Sequence, residues 1–241
     1  MNPTQQASQQ SVPEAQVGPQ IQQSVTPDLV NQQGQQALAG KLAQTNEKKQ
    51  FLDYILKGIA EKTGAEFSSR VKNPETVVQK VASKRMEGRK YGLDDVNDVY
   101  GGRFVIKNSS EVAPIKKMLD KAQELGVFKI GKQEERTQAT YHAHHLDITT
   151  SDGVRGEIQI MTPQEELEAV SNHGLRAVHG EKPPPDVASL RDKQAELASK
   201  IPNAKAHEKA QQIQAVAKSM GDKPLDVRIP AAILTHREGT K

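Results

Sequence analysis

The stretch from Tyr141 to Met161 reads Tyr-His-Ala-His-His-Leu-Asp-Ile-Thr-Thr, then a Ser-Asp-Gly turn, then Val-Arg-Gly-Glu-Ile-Gln-Ile-Met. Both halves alternate apolar and polar side chains, which is the period of a half-buried β-strand. The Asp152-Gly153 pair between them is a hairpin signal. The stretch therefore predicts a β-hairpin.

The two faces of this hairpin differ in chemistry. The apolar face carries Leu146, Ile148, Ile158 and Ile160. The opposite face carries Tyr141, Ala143, His145, Asp147, Glu157, Gln159 and Met161. If the apolar face packs on a core, an aromatic ring, an imidazole and a carboxylate project together from the other side. This face is either a candidate site or simply the solvated side of a hairpin.

Composition limits the class of protein. The 241 residues are 35% hydrophobic and 3% aromatic, which allows one folded domain of ordinary size with polar tails. The net charge of +3 creates no large field for binding duplex nucleic acid. The absence of cysteine excludes disulfides and thiolate chemistry. No apolar run approaches the roughly 20 residues of a membrane span, so we expect no membrane association and a cytoplasmic location.

The chain divides into three parts. Residues 1–45 are rich in Gln and almost uncharged, and we predict a disordered arm. Residues 46–182 carry helical and strand periodicity, starting with a helix from Asn46 to Thr63, and form the predicted folded domain. Residues 183–241 predict a helical or partly disordered tail. A second copy or a protein partner is expected to bind through these terminal parts.

A basic strand–helix unit opens the predicted domain. Residues 66–72 alternate and place Arg70 and Lys72 on one face, and Asn73-Pro74 then begins a helix. Thr76 and Lys80 lie one turn apart on that helix. A helix N-terminus beside two cations is typical of a phosphate site, although each lysine alone is more often a solvated side chain.

The elements between this unit and the hairpin follow from similar patterns. Residues 101–106 predict a central strand, and residues 111–125 a helix that ends at Gly126. Residues 127–130 predict another strand. The polar residues 131–140 predict a loop beside the candidate site. After the hairpin, a capping box with Pro163 at the first helical position predicts a further helix. The result is a mixed α/β (α+β) fold with about five strands flanked by helices.

Taken in order, these motifs resemble the synthetase domain of the RelA/SpoT alarmone family, which has a nucleotidyltransferase-type fold. The residues that carry the resemblance are Arg70, Lys72, Thr76, Lys80, Asp98, Arg103, Tyr141, His145, Glu157 and Gln159. The resemblance covers about residues 46–182. It implies an enzyme that moves pyrophosphate from ATP to the 3′-hydroxyl of GDP or GTP and leaves AMP.

The resemblance also implies a role for each of these residues. The ATP phosphates are expected to bind Arg70, Lys72, Thr76, Lys80 and Arg103. The acceptor nucleotide is expected to bind Tyr141, His145 and Gln159, with Tyr141 stacked on the guanine. Asp98 and Glu157 are the implied catalytic pair and the implied ligands of Mg²⁺. Two converging carboxylates would repel by roughly 1–4 kcal/mol without a metal, which argues for the ion.

Two departures from the family pattern leave the acceptor open. The family usually has a Lys-Asn-Gly run before its Tyr, whereas this chain has residues 136–140, Arg-Thr-Gln-Ala-Thr. An Arg often follows the Glu-x-Gln-Ile strand, where this chain has Met161. One alternative is therefore the same fold acting on tRNA or an adenine nucleotide, as toxin-like relatives do. Another is a degenerate nucleotide-binding or structural module without catalysis.

A third alternative is a transition-metal site. His142 and His144 share a strand face, and His173 or His179 on the following helix would complete it. That face is also the face of Leu146, and no carboxylate obviously joins the histidines. We therefore favour the nucleotide site.

Overall fold

The computed structural model describes residues 25–138, 141–179, 185–219 and 228–235. Its strands are, in chain order, β1 (Glu66–Val71), β2 (Tyr100–Val105), β3 (Lys129–Gln138), β4 (Tyr141–Thr149) and β5 (Arg155–Met161). They form one five-stranded sheet in the order β1-β2-β5-β4-β3. Strands β2 and β5 are parallel and the other neighbours are antiparallel. The predicted mixed sheet is confirmed.

Helices flank this sheet and extend beyond it. Within the described residues they are α1 (Pro27–Val30), α2 (Gln32–Thr63), α3 (Pro74–Met86), α4 (Val112–Glu124), α5 (Pro163–His179), α6 (Pro185–Ser199), α7 (Asn203–Ser219) and α8 (Arg228–Thr235). None of the helices described combines the length and the apolar character needed to cross a membrane.

The predicted hairpin forms strands β4 and β5. Asp147 pairs with Glu157 and His145 pairs with Gln159 across the two strands. In the turn, Gly153 adopts a φ of 87°, in the left-handed region that glycine enters without steric cost. The hairpin register is therefore the one that places the polar residues of both strands on the same face.

The apolar face of the hairpin packs against helices α2 and α4 and forms the main core. Its residues Leu146, Ile148, Ile158 and Ile160 are buried. They belong to one cluster with Leu52, Leu56, Ile59, Phe104, Ile115 and Leu119. Each such side chain stabilises the fold by about 1.5–3 kcal/mol through burial. Because these helices cover one face, the polar side chains of the hairpin lie on the other.

Helix α2 begins earlier than the sequence predicted. The prediction was disorder over residues 1–45 and a helix from Asn46, whereas the helix starts at Gln32. The Asn31 side chain caps it by accepting a hydrogen bond from the Gly34 N–H at 2.8 Å. The apolar residues that hold this part of α2 against α3 are Leu38, Leu42, Val77 and Val81. A few leucines on one face of α2 are therefore enough to pack this part of the helix against α3. Residues 1–24 of the predicted arm lie outside the described residues.

The predicted loop over residues 131–140 is wrong. Strand β3 continues through this polar segment to Gln138 and pairs with β4, with an irregularity between Ile130 and Gln133. Because β3 is the edge strand, its backbone is satisfied on one side by β4 while most of its side chains face solvent. Such a strand does not need alternating apolar residues, so its polar sequence does not indicate a strand. Residues 139 and 140 lie outside the described part.

The C-terminal helices pack on helix α5 rather than extending away from it. Helices α5 to α8 share a small cluster of buried residues: Leu167, Ala198, Ala206, Ala210, Ile213 and Leu234. Half of the members are alanines, which explains why the sequence showed few large apolar residues there. The tail was predicted to be helical or partly disordered, and its described residues include the helices α6, α7 and α8. The prolines at 183 and 184 lie outside the described residues.

Candidate active site

The polar face of the sheet carries two rows of side chains that the strand register places side by side. The first row contains Arg70 on β1, Gly101 on β2, Glu157 on β5 and Asp147 on β4. The second row contains Ser68, Arg103, Gln159, His145 and Glu134, ending on β3. Residues opposite each other on neighbouring strands project to the same face. The register therefore brings together predicted candidates from both ends of the domain.

Asp98 lies just before β2 and binds two lysines. Its Oδ2 is 2.6 Å from the Lys72 Nζ, and its Oδ1 is 2.8 Å from the Lys80 Nζ. Burial alone would raise the pKa of Asp98, but the two lysine charges and their hydrogen bonds outweigh it and lower the pKa to about 2. Asp98 is therefore ionised at neutral pH.

Glu157 lies at the centre of the sheet and is held by three polar neighbours. Its Oε2 is 3.0 Å from the His145 Nδ1 and 3.5 Å from Arg136 Nη2, and the Gln159 amide donates to Oε1 at 2.8 Å. Burial would raise the pKa of Glu157, but the hydrogen bond and charge of His145 and the contacts to Gln159 and Arg136 lower it. Glu157 is also an ionised carboxylate.

Arg103 lies in the second row and is linked to Glu157 through Gln159. The Arg103 Nε and Nη2 donate to the Gln159 Oε1 at 3.3 Å and 3.2 Å. Its Nη1 is 3.3 Å from the Oε1 of Glu166, a buried residue of helix α5. The Gln159 amide thus accepts from the arginine with its oxygen and donates to Glu157 with its nitrogen.

Arg70 lies in the first row, two strands away from Glu157. Desolvation by burial, followed by the charge of Arg103, lowers the pKa of Arg70, and the charges of Asp98 and Glu157 oppose that shift. Its strand partner Gly101 has no side chain, and a Cβ there would be 3.7 Å from the Arg70 Cγ, an ordinary van der Waals contact. No side chain therefore stands between Arg70 and Glu157 in this row.

Helix α3 brings Lys80 and Thr76 to this region. Asn73 caps the helix by accepting a hydrogen bond from the Thr76 N–H at 2.8 Å, and Pro74 occupies the first turn. Thr76 is half-buried on that first turn. The predicted basic strand–helix unit is therefore present, and Lys72 and Lys80 meet at Asp98.

Tyr141 begins strand β4 and pairs through its backbone with Gln138. Its side chain lies outside the described part of the structure. The stacking role of Tyr141 therefore stays a prediction from the sequence.

The donor set fits a metal that is shared with a ligand. Among the described residues no group of three or more His, Cys, Asp or Glu side chains could hold an ion. Mg²⁺ in phosphoryl-transfer sites usually takes one or two carboxylates together with substrate phosphates. Asp98 and Glu157, both ionised, match that requirement without forming a protein cage.

Three contributing residues were missed by the sequence reasoning. Arg136 reaches Glu157 from β3, which the prediction treated as a loop. The sequence placed Glu166 near the start of a predicted helix and indicated nothing more about it. Asp147 was predicted on the same face of the hairpin as Glu157 but was given no role. Burial, followed by the charge of Glu157, raises the pKa of Asp147. Only the alternation of β4 could have indicated Asp147.

Met161, the departure from the family pattern, is a core residue. It is 1% exposed and packs with Ala143 and against Ala169 of helix α5. An arginine could not be charged and solvated in such surroundings without displacing them. The cation that contacts Glu157 comes from Arg136 on strand β3.

The alternative metal site receives no support from the described residues. The rings of His142 and His144 are 5.7 Å apart and nearly perpendicular. His142 lies between two carboxylates, with Nε2 2.6 Å from Glu135 and Nδ1 2.7 Å from Glu165. The sequence did not indicate a carboxylate beside the histidines. The structure places Glu135 and Glu165 there, as ion-pair partners of His142. The side chains of the histidines at 173 and 179 lie outside the described residues.

Solved structures that share this fold include alarmone synthetases. Small alarmone synthetase 1 from Bacillus subtilis matches with a TM-score of 0.52 and 20% identity, over 78% of this chain and 100% of that chain. A second structure of that enzyme, bound to its product pppGpp, matches with a TM-score of 0.51, 20% identity and the same coverage. A GTP pyrophosphokinase family protein from Streptococcus pneumoniae matches with a TM-score of 0.50 and 20% identity, over 86% of this chain and 100% of that chain. At this identity the likeness establishes the fold alone.

A comparison with family profiles matches part of the sequence. Residues 69–179 match the profile described as the region found in RelA / SpoT proteins. No curated protein sequence matches the chain significantly. The matched range begins one residue before Arg70 and extends through helix α5, so it contains nearly all of the polar face described above. Residues 69–179 therefore match the RelA/SpoT region, and the chain shares its fold with the small alarmone synthetase structures.

Proposed function

We propose that this chain is a pyrophosphokinase that transfers the pyrophosphate group of ATP to the 3′-hydroxyl of a guanine nucleotide. The observation that supports this best is the strand register, which places Arg70 and Glu157 in one row of the RelA/SpoT region, while Lys72 and Lys80 converge on Asp98 just before β2. Two ionised carboxylates together with several cations suit a reaction that transfers a charged phosphoryl group.

The ATP side of the site is formed by β1, α3 and β2. We assign the phosphates to Arg70, Lys72, Lys80 and Arg103, with Thr76 on the first turn of α3. In phosphoryl transfer the protein acts mainly by positioning the groups and by neutralising charge. Lys72 and Lys80 converge at Asp98, which places two of these cations close together.

The acceptor side is formed by β4 and β5. The 3′-oxygen attacks the β-phosphorus of ATP, the bond from that phosphorus to the oxygen shared with the α-phosphate breaks, and AMP leaves. Because His145, Gln159 and Arg136 keep Glu157 ionised, we assign it to align the attacking hydroxyl and to accept its proton as the new P–O bond forms. Tyr141 is assigned to stack on the guanine.

Asp98 and Glu157 are the residues that we assign to Mg²⁺. When bound, the ion would neutralise charge on the phosphates and hold them in place. His145 and Gln159 then act as partners that orient Glu157.

A transfer assay tests the function. The protein would be incubated with γ-labelled ATP and Mg²⁺, in parallel with GDP, GTP, AMP, ADP or bulk tRNA. We expect label on GDP or GTP, and a loss of at least about 100-fold in rate for Glu157→Gln and Asp98→Asn. Asp120→Asn, on the exposed side of α4, is the matched control and should keep wild-type activity.

The outcome separates the candidates. Wild-type rates in Glu157→Gln would remove that residue from the reaction. Intact ATP binding with no transfer to any acceptor would leave a nucleotide-binding module without catalysis.

A different acceptor is the second candidate, and strand β3 favours it. Where the family has a Lys-Asn-Gly run before its Tyr, this chain has Arg-Thr-Gln-Ala-Thr at residues 136–140, and Arg136 on β3 contacts Glu157. A changed edge of the acceptor pocket would suit a different base or an RNA end. Label on AMP, ADP or tRNA instead of GDP or GTP would establish this alternative.

The acceptor platform has its own test. Tyr141→Ala should raise the KM for the acceptor by roughly tenfold, the loss expected from one stacking contact, with little change for ATP. Tyr141→Phe keeps the ring and should behave as wild type. An unchanged acceptor KM in Tyr141→Ala would remove the stacking role. The cytoplasmic location and partners bound through the terminal segments stay predictions.

A further inference from the structure

The Arg103 side chain is held by hydrogen bonds to Gln159 and Glu166 in the structure without nucleotide. A guanidinium has five N–H donors in a fixed plane. Three of them are used by contacts to described residues, two to Gln159 and one to Glu166. The direction in which the other two donors point is set by these two neighbours.

Glu166 is a buried carboxylate with partners on two elements. It is 2% exposed. Its Oε1 accepts from Arg103 on β2 and, at 3.2 Å, from Gln214 on α7. Its Oε2 is 2.6 Å from the His207 Nδ1, also on α7. A buried carboxylate needs such partners, because each one lost leaves an uncompensated charge.

His207 fixes helix α7 to the sheet as well as to Glu166. The other ring nitrogen, Nε2, is 2.7 Å from the Glu66 Oε2 at the start of β1. His207 therefore lies between carboxylates of β1 and α5. A continuous chain of contacts runs from the C-terminal helix α7 through Glu166 to Arg103.

We propose that Glu166 is a positioning residue for Arg103 and that His207 of the C-terminal helix α7 holds Glu166 in place. On this inference the C-terminal helices are part of the catalytic unit. The inference rests on the proposed function, in which Arg103 binds ATP phosphate. Glu166 itself does not touch the nucleotide and acts through Arg103.

The expected effect is on turnover more than on binding. Nucleotide affinity draws on several cations, so one disordered arginine changes it little. Turnover depends on charges held in place for the transition state, and a displacement of about 1 Å can cost about 100-fold. Loss of the Glu166 carboxylate should therefore lower kcat and leave binding nearly intact.

The first measurement compares kcat with the Kd of a non-hydrolysable ATP analogue in the full chain. For Glu166→Gln we expect kcat to fall by about 10- to 100-fold and Kd to change by less than about threefold. His207→Ala should lower kcat in the same way. His207→Asn should restore it, because the Asn amide nitrogen replaces the Nδ1 donor. Gln212→Ala, on the exposed side of α7 and in contact with Glu208, is the control.

A double substitution tests the path through Arg103. In an Arg103→Lys background, Glu166→Gln should have little further effect on kcat, because the group that Glu166 positions is already gone. Independent, multiplicative losses would contradict the inference. So would wild-type kcat in Glu166→Gln, or no rescue by His207→Asn.

A measurement without nucleotide keeps the inference separate from the proposed function. The guanidinium nitrogen signals of Arg103, assigned from Arg103→Lys, should show restricted rotation in the wild-type protein and faster rotation in Glu166→Gln and His207→Ala. If the chain transfers no pyrophosphate, the proposed function fails while this result still decides whether α7 positions Arg103. Equal rotation in all variants would overturn the inference.

Discussion

Asp98 is a single carboxylate that forms ion pairs with two lysines, one of which has a side chain that is 10% exposed. Its pKa falls from 3.8 to about 2 on folding. A carboxyl with a lowered folded pKa stabilises the fold above its unfolded pKa and loses that contribution as the pH falls through the folded value. The contribution is about 2 kcal/mol at neutral pH and disappears between about pH 4 and pH 2.

We therefore predict an acid-dependent effect of Asp98→Asn. The variant should unfold more easily than wild type at pH 6, and the difference in unfolding free energy should shrink toward pH 2. Urea unfolding at a series of pH values measures it. Asp94→Asn is the control, because that side chain is fully exposed. A difference that stays constant across the pH range would contradict the role of Asp98.

Gly101 lies between Arg70 and Glu157 in the first row and carries no side chain. We predict that Gly101→Val lowers the affinity for an ATP analogue by about tenfold, or about 1.4 kcal/mol, because its methyl groups add bulk beside Arg70, which we assign to the ATP phosphates. The fold should tolerate it, since a Cβ meets only ordinary contacts there and valine favours strands. Calorimetric binding and a melting curve measure the two effects. Unchanged affinity would place the nucleotide elsewhere.

The sequence predicted many of these residues but not all of their partners. Alternation in β4 and β5 is a local property, so it placed His145 and Glu157 on one face correctly. Arg136 and Glu166 reach the site only through pairing and packing between distant elements. Their contacts depend on the tertiary fold, and the local pattern contains no sign of them.

At the level of elements, helix α2 and strand β3 were the two mistaken predictions. The Gln-rich start of α2 has few apolar residues, and propensity alone does not show that its leucines meet a valine pair on α3. Strand β3 lies at the sheet edge and pairs only with β4, so it lacks the buried face that reveals a strand. Both errors arise where packing partners, rather than local pattern, decide the structure.

Glycines in helix α2 provide a test of that element. A Cβ added at Gly58 would have nothing within 4 Å, so Gly58→Ala should stabilise the protein by about 0.5–1 kcal/mol. At Gly34 an added Cβ would lie 1.9 Å from the Asp28 carbonyl oxygen, and Gly34→Ala should destabilise by more than about 2 kcal/mol. Denaturant unfolding measures the change in unfolding free energy for each of the two variants. Equal effects at both positions would show that α1 does not pack at the start of α2.

At the level of the whole molecule, the C-terminal helices and the sheet share helix α5. We predict that they unfold together in one transition. Ile213→Ala, which removes a side chain that is 1% exposed, should destabilise by about 2–4 kcal/mol and shift that single transition. Scanning calorimetry tests this, with the exposed Gln212→Ala as control. Two transitions, of which only one moves, would show an independent C-terminal unit.

The order of the strands has a consequence for synthesis of the chain. Strand β5 is the last of the five in sequence, yet it lies between β2 and β4 in the sheet. Until residue 161 has left the ribosome, β2 and β4 each present an unpaired edge, the kind of surface on which nascent chains aggregate. The same strand delivers Glu157. A nascent chain that lacks β5 therefore lacks one of the two carboxylates, and nucleotide consumption would begin only after the central strand has been inserted.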